Sequence, residues 1–197
     1  MNPSINFSDL RKSLDEAITF AELEKAEQIA DQGLEFALFK EDLGEIMYFQ
    51  AQHAILDENF NLAIRFLKEA VEYNPFDGAA YNDIALCMIE IEEDVHETMS
   101  YFDIGIEVEP DYATIFHNKG WFLNQLGRPQ EAIAYLNKAL TIEPDRAVTF
   151  ENLADVYIKL GETAKAISAY QTSLRLLDQS YPDIRQQIFE KLKILMS

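Results

Sequence analysis

Residues 113–146 read ATIFHNKGWFLNQLGRPQEAIAYLNKALTIEPDR, and this 34-residue pattern returns through most of the chain. Successive units end at Pro75, Pro110, Pro144 and Asp178, which lie 35, 34 and 34 residues apart. Each unit places small residues at three fixed offsets, with large apolar residues between them. Helical hairpins need this arrangement, because small residues let paired helices approach and large ones fill the contact with the next hairpin. The repeat therefore predicts a stack of helical hairpins.

The same residue types can be followed through four units. In each, a large apolar residue is followed four positions later by a small one, and the second helix then carries a small, a large and a small residue. In that order the positions are Met47, Tyr81, Phe116, Phe150; Ala51, Ala85, Gly120, Ala154; Ala63, Thr98, Ala132, Ala166; Leu67, Phe102, Leu136, Tyr170; and Ala70, Gly105, Ala139, Ser173. A degenerate fifth unit precedes them and keeps the offsets with Leu10, Leu14, Ala17, Ala26, Ala30 and Gly33.

At these residues the chain resembles the tetratricopeptide repeat family, whose 34-residue repeat combines small, aromatic and proline positions at this spacing. The agreement is best over Phe116–Pro144 and nearly as good over Phe150–Asp178. The resemblance implies an all-α fold, an α-solenoid or right-handed superhelix of about five helical hairpins with a C-terminal capping helix. The expected units are residues 1–43, 44–77, 78–112, 113–146, 147–180 and the capping helix 181–197.

Turn residues mark where the helices of these hairpins should begin and end. Asp77-Gly78 and Asp111 follow prolines and are typical of helix starts. Gly127 and Gly161 suit the tight turn within a hairpin, where a left-handed backbone favours glycine. The unit Tyr81–Pro110 has one extra residue and no glycine near Glu92, which predicts a longer corner there.

The C-terminal stretch predicts one further amphipathic helix after the break at Tyr181-Pro182. Its apolar residues recur at Ile184, Ile188, Phe189, Leu192 and Leu195. Such a stripe closes the open end of a repeat stack, or else docks a partner or a second copy of the chain.

Composition indicates a soluble cytoplasmic protein with one continuous folded body. Hydrophobic residues make up 48% of the chain, which is enough to fill an elongated core. The longest apolar run, Ile84–Ile89, is far shorter than the roughly 20 residues of a membrane span. The N-terminus carries charges where a secretory signal needs an apolar stretch, and a single cysteine excludes an internal disulfide framework.

The net charge of −19 is unevenly distributed along the chain. Residues 1–43 carry −6, residues 44–110 carry −13, and residues 111–197 are neutral. Nucleic acid and anionic membranes should be repelled by this acidity, whereas a basic segment of another protein should be attracted. The cluster from Glu90 to Glu97 fits either this role or an ordinary solvated surface.

Catalytic and metal-binding patterns are missing from the sequence, so we expect a non-enzyme without cofactors. The histidines His53, His96 and His117 stand in different units, with no partner at metal-ligand spacing. There is no phosphate-binding glycine loop and no nucleophile elbow. Cys87 lies in an apolar run and is expected to be a packed thiol.

Recognition is therefore the chemistry that the sequence favours. The family resemblance implies that the first helix of each hairpin lines a concave surface that holds extended peptides. Residues at three offsets fall on that side of the helices. The candidates for peptide binding are Tyr48, Phe49, Asn82, Asp83, Leu86, His117, Asn118, Trp121, Gln125, Asn152 and Asp155.

Two kinds of side chain stand out among these candidates. Trp121, the only tryptophan, is a candidate interface anchor, although it could instead cover a neighbouring hairpin. Asn118 and Asn152 lie 34 residues apart, and their amides could each pair with a peptide unit or bond within their own stack.

The sequence predicts a non-catalytic interaction module, an adaptor or chaperone, that binds an extended or helical segment with basic or apolar character. The alternative is a scaffold that assembles with itself through its terminal repeats or C-terminal helix.

Overall fold

The computed structural model describes residues 6–196, and every regular element in that range is an α-helix. The all-α repeat fold predicted from the sequence is thereby confirmed. The helices are α1 (Phe7–Thr19), α2 (Leu23–Lys40), α3 (Leu43–Leu56), α4 (Phe60–Tyr73), α5 (Gly78–Glu90), α6 (Val95–Val108), α7 (Ala113–Gln125), α8 (Pro129–Ile142), α9 (Ala147–Lys159), α10 (Thr163–Leu176) and α11 (Pro182–Met196).

Consecutive helices pair into five hairpins, from α1/α2 to α9/α10, and α11 packs against α10. The helices group into two compact units, Met1–Pro110 and Asp111–Ser197, whereas we expected one continuous body. The first unit contains α1 to α6, and the second contains α7 to α11. The same boundary divides the charge, because the first unit carries the whole net charge of −19 and the second is neutral.

The recurring small residues lie where the two helices of a hairpin meet. Ala51 and Ala63 in the first unit, and Ala132 in the second, have no exposed surface. At Gly120 a Cβ atom would lie 2.8 Å from Cγ of Leu136 on the paired helix, closer than carbon atoms pack. The small residues therefore set the distance between paired helices.

All five hairpins turn through the same backbone motif. The second residue after each first helix has a left-handed φ, between 55° and 73°. The next amide N–H donates to a carbonyl five residues back, as in a Schellman motif. The left-handed residues are Ala21, Glu58, Glu92, Gly127 and Gly161. The turns predicted at Gly127 and Gly161 are therefore present.

The extra residue of the third hairpin lengthens its turn. Four residues, Ile91 to Asp94, join α5 to α6, whereas three residues join the helices of every other hairpin. The Asp94 side chain accepts hydrogen bonds from the amides of His96 at 2.9 Å and Glu97 at 3.0 Å, and so caps α6. The longer corner predicted near Glu92 is confirmed.

Two predicted helix starts have different outcomes. Asp77 caps α5, because its side chain accepts a hydrogen bond from the Ala80 amide at 3.0 Å. The start predicted at Asp111 is two residues early, since α7 begins at Ala113 with Tyr112 at the N-cap.

In the first unit, α2 packs on α3 through Gly33. The Phe49 ring is completely buried, and a Cβ atom at Gly33 would lie 2.1 Å from its Cε1 atom. Because Gly33 has no side chain, the Phe49 ring can occupy the space beside its backbone.

We expect Gly33→Val to destabilise the protein by about 1–3 kcal/mol, because the valine methyl groups overlap the Phe49 ring. Urea unfolding followed by circular dichroism measures the change. In a Phe49→Ala background the same substitution should cost much less, since the ring is gone. Additive effects of the two substitutions would contradict this packing.

Candidate functional site

In the second unit, polar and aromatic side chains form matching stripes on α7 and α9, the first helices of their hairpins. The three positions on α9 follow those on α7 by 34 residues each, and in both helices their spacing puts them on one face. The α7 stripe is Asn118, Trp121 and Gln125, and the α9 stripe is Asn152, Asp155 and Lys159. Because α7 packs against α9, the two stripes lie side by side. We refer to these six residues as the α7/α9 face.

Trp121 lies at the middle of the α7 stripe and is partly exposed. Among the residues that the structure describes, its indole N–H has no hydrogen-bond partner. Gln125, one turn further along α7, is exposed. An indole with an apolar body and an unused donor is typical of side chains that anchor interfaces.

His117 does not belong to the accessible face, contrary to the sequence-based expectation. Its ring is buried between Oγ1 of Thr149, 2.9 Å from Nδ1, and the Asn152 amide, which donates to Nε2 at 3.1 Å. Nε2 therefore accepts, and Nδ1–H donates to Thr149. Burial, reinforced by the positive charge of Arg146, lowers the pKa of His117 to about 3. The neutral imidazole therefore links α7 to α9 through these two hydrogen bonds.

Asn152 therefore makes a hydrogen bond within its own stack of hairpins. This was one of the two alternatives given for the asparagines in the sequence analysis. Its amide group already donates to His117, although the residue remains partly exposed on the α7/α9 face. At the far end of the face, Lys159 donates to the backbone carbonyl of Asn124 at 2.7 Å. Both contacts fix the distance between α7 and α9.

Asp155 is held by two internal partners. The Tyr170 hydroxyl donates to it, and Lys191 of α11 lies 3.3 Å from its Oδ1 atom and 3.0 Å from Glu151. Burial, together with this bond to Asp155, raises the pKa of Tyr170. Lys191 therefore neutralises charge at the edge of the α7/α9 face.

The helix α11 is also fixed by Arg185. Its guanidinium donates to the carbonyl oxygens of Leu174 at 2.8 Å and Leu177 at 2.6 Å, which lie at the C-terminal end of α10. Ile188 and Leu192 are buried, while Phe189 of the predicted apolar stripe is exposed. The stripe is thus only partly used for packing within the chain.

In the first unit, one arginine ties three hairpins together. The Arg11 guanidinium makes two hydrogen bonds of 2.8 Å to the Asp77 carboxylate and one of 3.1 Å to Glu45. It also lies 3.6 Å from the centre of the Tyr48 ring. Arg11 belongs to α1, Glu45 and Tyr48 to α3, and Asp77 caps α5. A single cation therefore links the first helices of all three hairpins in this unit.

A second polar contact of this unit is centred on Asp83 of α5. Its carboxylate accepts hydrogen bonds from Gln52 at 2.7 Å and Asn82 at 3.0 Å. Burial outweighs these bonds and raises the pKa of Asp83 to about 6. The residue is still partly exposed, so its charge can reach a ligand.

Three candidates in the first unit are buried, which corrects the expectation that they face a ligand. Phe49 fills the space beside Gly33, Tyr48 lies under the Arg11 guanidinium, and Asn82 donates to Asp83. Only Asp83 and Leu86 of the predicted residues in this unit are partly exposed. Phe49, Tyr48 and Asn82 take part in the packing of one hairpin on the next.

The sequence-based reasoning did not identify Arg11 as a central residue. Arg11 and Glu45 lie 34 residues apart, but the turns of their hairpins, at Ala21 and Glu58, lie 37 residues apart, so the two residues occupy different offsets in their hairpins. The repeat register therefore does not reveal this cation–carboxylate pair.

No group of three or more histidine, cysteine, aspartate or glutamate side chains within residues 6–196 is arranged to hold a metal ion. Cys87 is buried, and burial raises the pKa of its thiol. Over the same range, no helix combines the length and the apolar character needed to cross a membrane.

Residues 123–186 match the sequence model of the tetratricopeptide repeat, over the hairpins in which the small-residue spacing is most regular. The matched residues are 64 of the 197, about a third of the chain. No curated protein sequence matches it significantly. The similarity of the rest of the chain to known proteins is therefore visible in its structure.

Three solved structures illustrate this structural similarity. TTC0263, a tetratricopeptide repeat protein of Thermus thermophilus, is 18% identical, with a TM-score of 0.69 over 92% of this chain and 98% of that one. PilF of Pseudomonas aeruginosa is 22% identical, with a TM-score of 0.67 over 78% and 70%. YrrB, described as a repeat protein with an unusual peptide-binding site, is 16% identical, with a TM-score of 0.58 over 88% of both chains. At these identities the similarity establishes the fold.

We expect Arg11→Met to destabilise this repeat protein by about 3 kcal/mol at pH 7, since two carboxylates lose the cation that compensates them. Burial already raises the pKa of Glu45 against the opposing effect of Arg11, so in the variant Glu45 takes up a proton more readily. The loss should therefore shrink as the pH falls towards 4. Urea unfolding at both pH values measures it. Lys25→Met, which removes an exposed ion pair with Glu22, is the control and should change stability by less than about 1 kcal/mol.

We expect His117 to make the fold less stable in mild acid. The unfolded chain takes up a proton on this residue near pH 6.5, while the native imidazole, with its pKa lowered to about 3, does not. At pH 5 this difference amounts to about 2 kcal/mol. His117→Gln should remove that part of the decline between pH 7 and pH 5, as measured by urea unfolding. An imidazole NMR signal that is absent from His117→Gln and that titrates near pH 6.5 in the folded wild type would refute the assignment.

Proposed function

We propose that this protein is a non-catalytic protein-interaction module, and that the α7/α9 face of its second unit binds an extended segment of a partner protein. The observation that carries the proposal is Trp121, which is partly exposed and whose indole N–H has no partner among the described residues. A core tryptophan is normally covered on both faces and uses its N–H. Trp121 has the surroundings of a binding anchor.

The neighbours of Trp121 supply the groups that an extended peptide needs. The carboxamide side chains of Asn118 and Gln125 lie one turn to either side, and each offers both a donor and an acceptor. A peptide unit presents the complementary pair. The face therefore suits recognition of backbone by the amides, with an apolar side chain packed against the indole.

The charges of each unit favour a ligand that is apolar or basic. In the second unit Lys191 already balances Asp155, so the α7/α9 face itself selects mainly through apolar and amide contacts. In the first unit the accessible candidates are Asp83 and Leu86, which favour cationic and apolar side chains. The net charge of −19 adds a general attraction for basic segments.

The structural relatives agree with this proposal without defining it. YrrB is described as having a peptide-binding site, and it shares the fold of this chain. An adaptor and a chaperone would both use such a site, the first to join two proteins and the second to hold one.

Self-assembly is the second candidate, and one observation favours it. Phe189, Ile194 and Met196 of α11 are exposed, although they belong to the last helix of the described chain. Two copies could cover these side chains by pairing their α11 helices. Light scattering on the full chain distinguishes the two candidates, because a monomer at high concentration excludes assembly through α11.

We expect Trp121→Ala to weaken the binding of a peptide ligand by at least about thirtyfold, the loss typical of an aromatic anchor. Asn118→Ala should weaken it about fivefold, corresponding to one hydrogen bond of about 1 kcal/mol. Ligands for the measurement come from a random peptide-display library selected on the wild-type protein. Fluorescence polarisation with tryptophan-free synthetic versions then gives the affinities.

Ile158→Ala is the matched control, because Ile158 is exposed on α9 outside the α7/α9 face. It should leave the affinity unchanged. Since Trp121 is the only tryptophan, its own emission should also shift when a ligand binds. Selected peptides that bind Trp121→Ala as tightly as the wild type would place the site elsewhere and end the proposal.

A further inference from the structure

The first unit exposes large apolar side chains at the ends of α2 and α4, away from the residues discussed so far. Phe39, Tyr73 and Phe76 have 65%, 56% and 75% of their surface exposed, and Leu38 and Leu43 are also exposed. These residues flank the two connections that lead from one hairpin to the next, α2 to α3 and α4 to α5. Scattered exposed apolar residues need no explanation, but a group at one edge does.

The geometry brings these connections together at one edge of the unit. Gly44, at the start of α3, would carry a Cβ atom only 3.4 Å from Cβ of Tyr73 at the end of α4. Leu43 precedes Gly44 in the chain, and Leu38 and Phe39 form the last turn of α2 before it. Phe76 follows Tyr73 in the next connection. We call these five residues the connection edge.

An acid and an aromatic residue lie one turn apart near the C-terminal end of both α2 and α4. Glu35 and Phe39 lie one turn apart on α2, and Glu69 and Tyr73 lie one turn apart on α4, 34 residues later in each case. Both glutamates are exposed. Since residues four apart share a helix face, each aromatic ring has a carboxylate beside it.

The other three hairpins do not have this pair. At the position of Tyr73 they carry the aliphatic residues Val108, Ile142 and Leu176, which are half-buried. At the position of Glu69 they carry Ile104, Lys138 and Thr172. The exposed acid–aromatic pair is thus confined to the first two hairpins, and general requirements of the repeat do not explain it.

The charge around the connection edge is mainly negative. Besides Glu35 and Glu69, the exposed acids Glu41, Asp42 and Glu72 adjoin it in sequence. Three basic residues lie beside these acids: Arg65 and Lys68, which precede Glu69 on α4, and Lys40, whose Nζ atom lies 5.7 Å from the centre of the Phe39 ring. A cation can therefore already approach an aromatic ring of the edge.

We propose that the connection edge is a second docking surface, for a partner segment that carries lysine or arginine beside large apolar side chains. The apolar side chains of the segment cover Phe39, Tyr73 and Phe76, and its cations lie between the aromatic rings and the carboxylates of Glu35 and Glu69. Charge complementarity selects this occupant. A second copy would bring two units of charge −19 together, and an anionic membrane would be repelled.

The test uses a synthetic helical peptide of alternating lysine and leucine turns, labelled with fluorescein, and the full-length chain. We expect Phe39→Ser/Tyr73→Ser and Glu35→Gln/Glu69→Gln each to weaken its binding by at least about tenfold. Trp121→Ala, which tests the α7/α9 face, should not change it. An all-lysine peptide of equal charge should bind at least about tenfold more weakly than the patterned peptide, since it cannot cover the rings.

Localisation and controls keep the two proposed surfaces separate. Hydrogen exchange should show protection by the peptide at the ends of α2 and α4, and Ile158→Ser, an exposed change on α9 of the other unit, should leave its affinity unaltered. The substituted residues are exposed, so urea unfolding should show stability near that of the wild type. Equal binding of the all-lysine peptide, protection elsewhere, unchanged affinity of the edge variants, or self-association abolished by Phe39→Ser/Tyr73→Ser would each overturn the proposal.

Discussion

The fold depends on how closely the two helices of a hairpin approach each other. At most of the recurring contact positions the side chain is a methyl group or a hydrogen atom, and the two exceptions, Thr98 and Ser173, are buried as well. A bulky side chain there would push the helices apart, as the 2.8 Å between Cγ of Leu136 and a Cβ atom placed on Gly120 illustrates. Because each first helix packs against the second helix of its hairpin, one of its faces is occupied by this contact. The opposite face is then available for other uses.

The two units use that opposite face differently. In the first unit it carries internal polar ties, the Arg11 contacts with Asp77 and Glu45 and the Gln52–Asp83 bond. In the second unit the polar contacts of His117 and Lys191 lie at the edge of this face, and Trp121 remains partly exposed. The same repeat thus supplies rigidity in one unit and an accessible indole in the other.

Most of the fold could be predicted from the sequence because spacing alone determines it. The offsets of small residues located the hairpins, and the single insertion near Glu92 predicted the longer turn that Asp94 caps. Accessibility was harder to predict, because it depends on which side chain of a neighbouring hairpin reaches a given position. Phe49 is buried against Gly33, and Tyr48 lies under Arg11. Such pairs join residues from different repeats, so an offset within one repeat does not reveal them.

The division of charge between the units has a consequence for how this protein responds to its ionic surroundings. The first unit is strongly anionic, so its surface potential attracts dissolved cations, which the neutral second unit does to a smaller extent. Dissolved salt reduces the repulsion among its carboxylates and so favours compactness in that unit. The same ions weaken the long-range attraction that brings basic segments towards it. A rise in ionic strength therefore stabilises the first unit and at the same time weakens its attraction for basic segments.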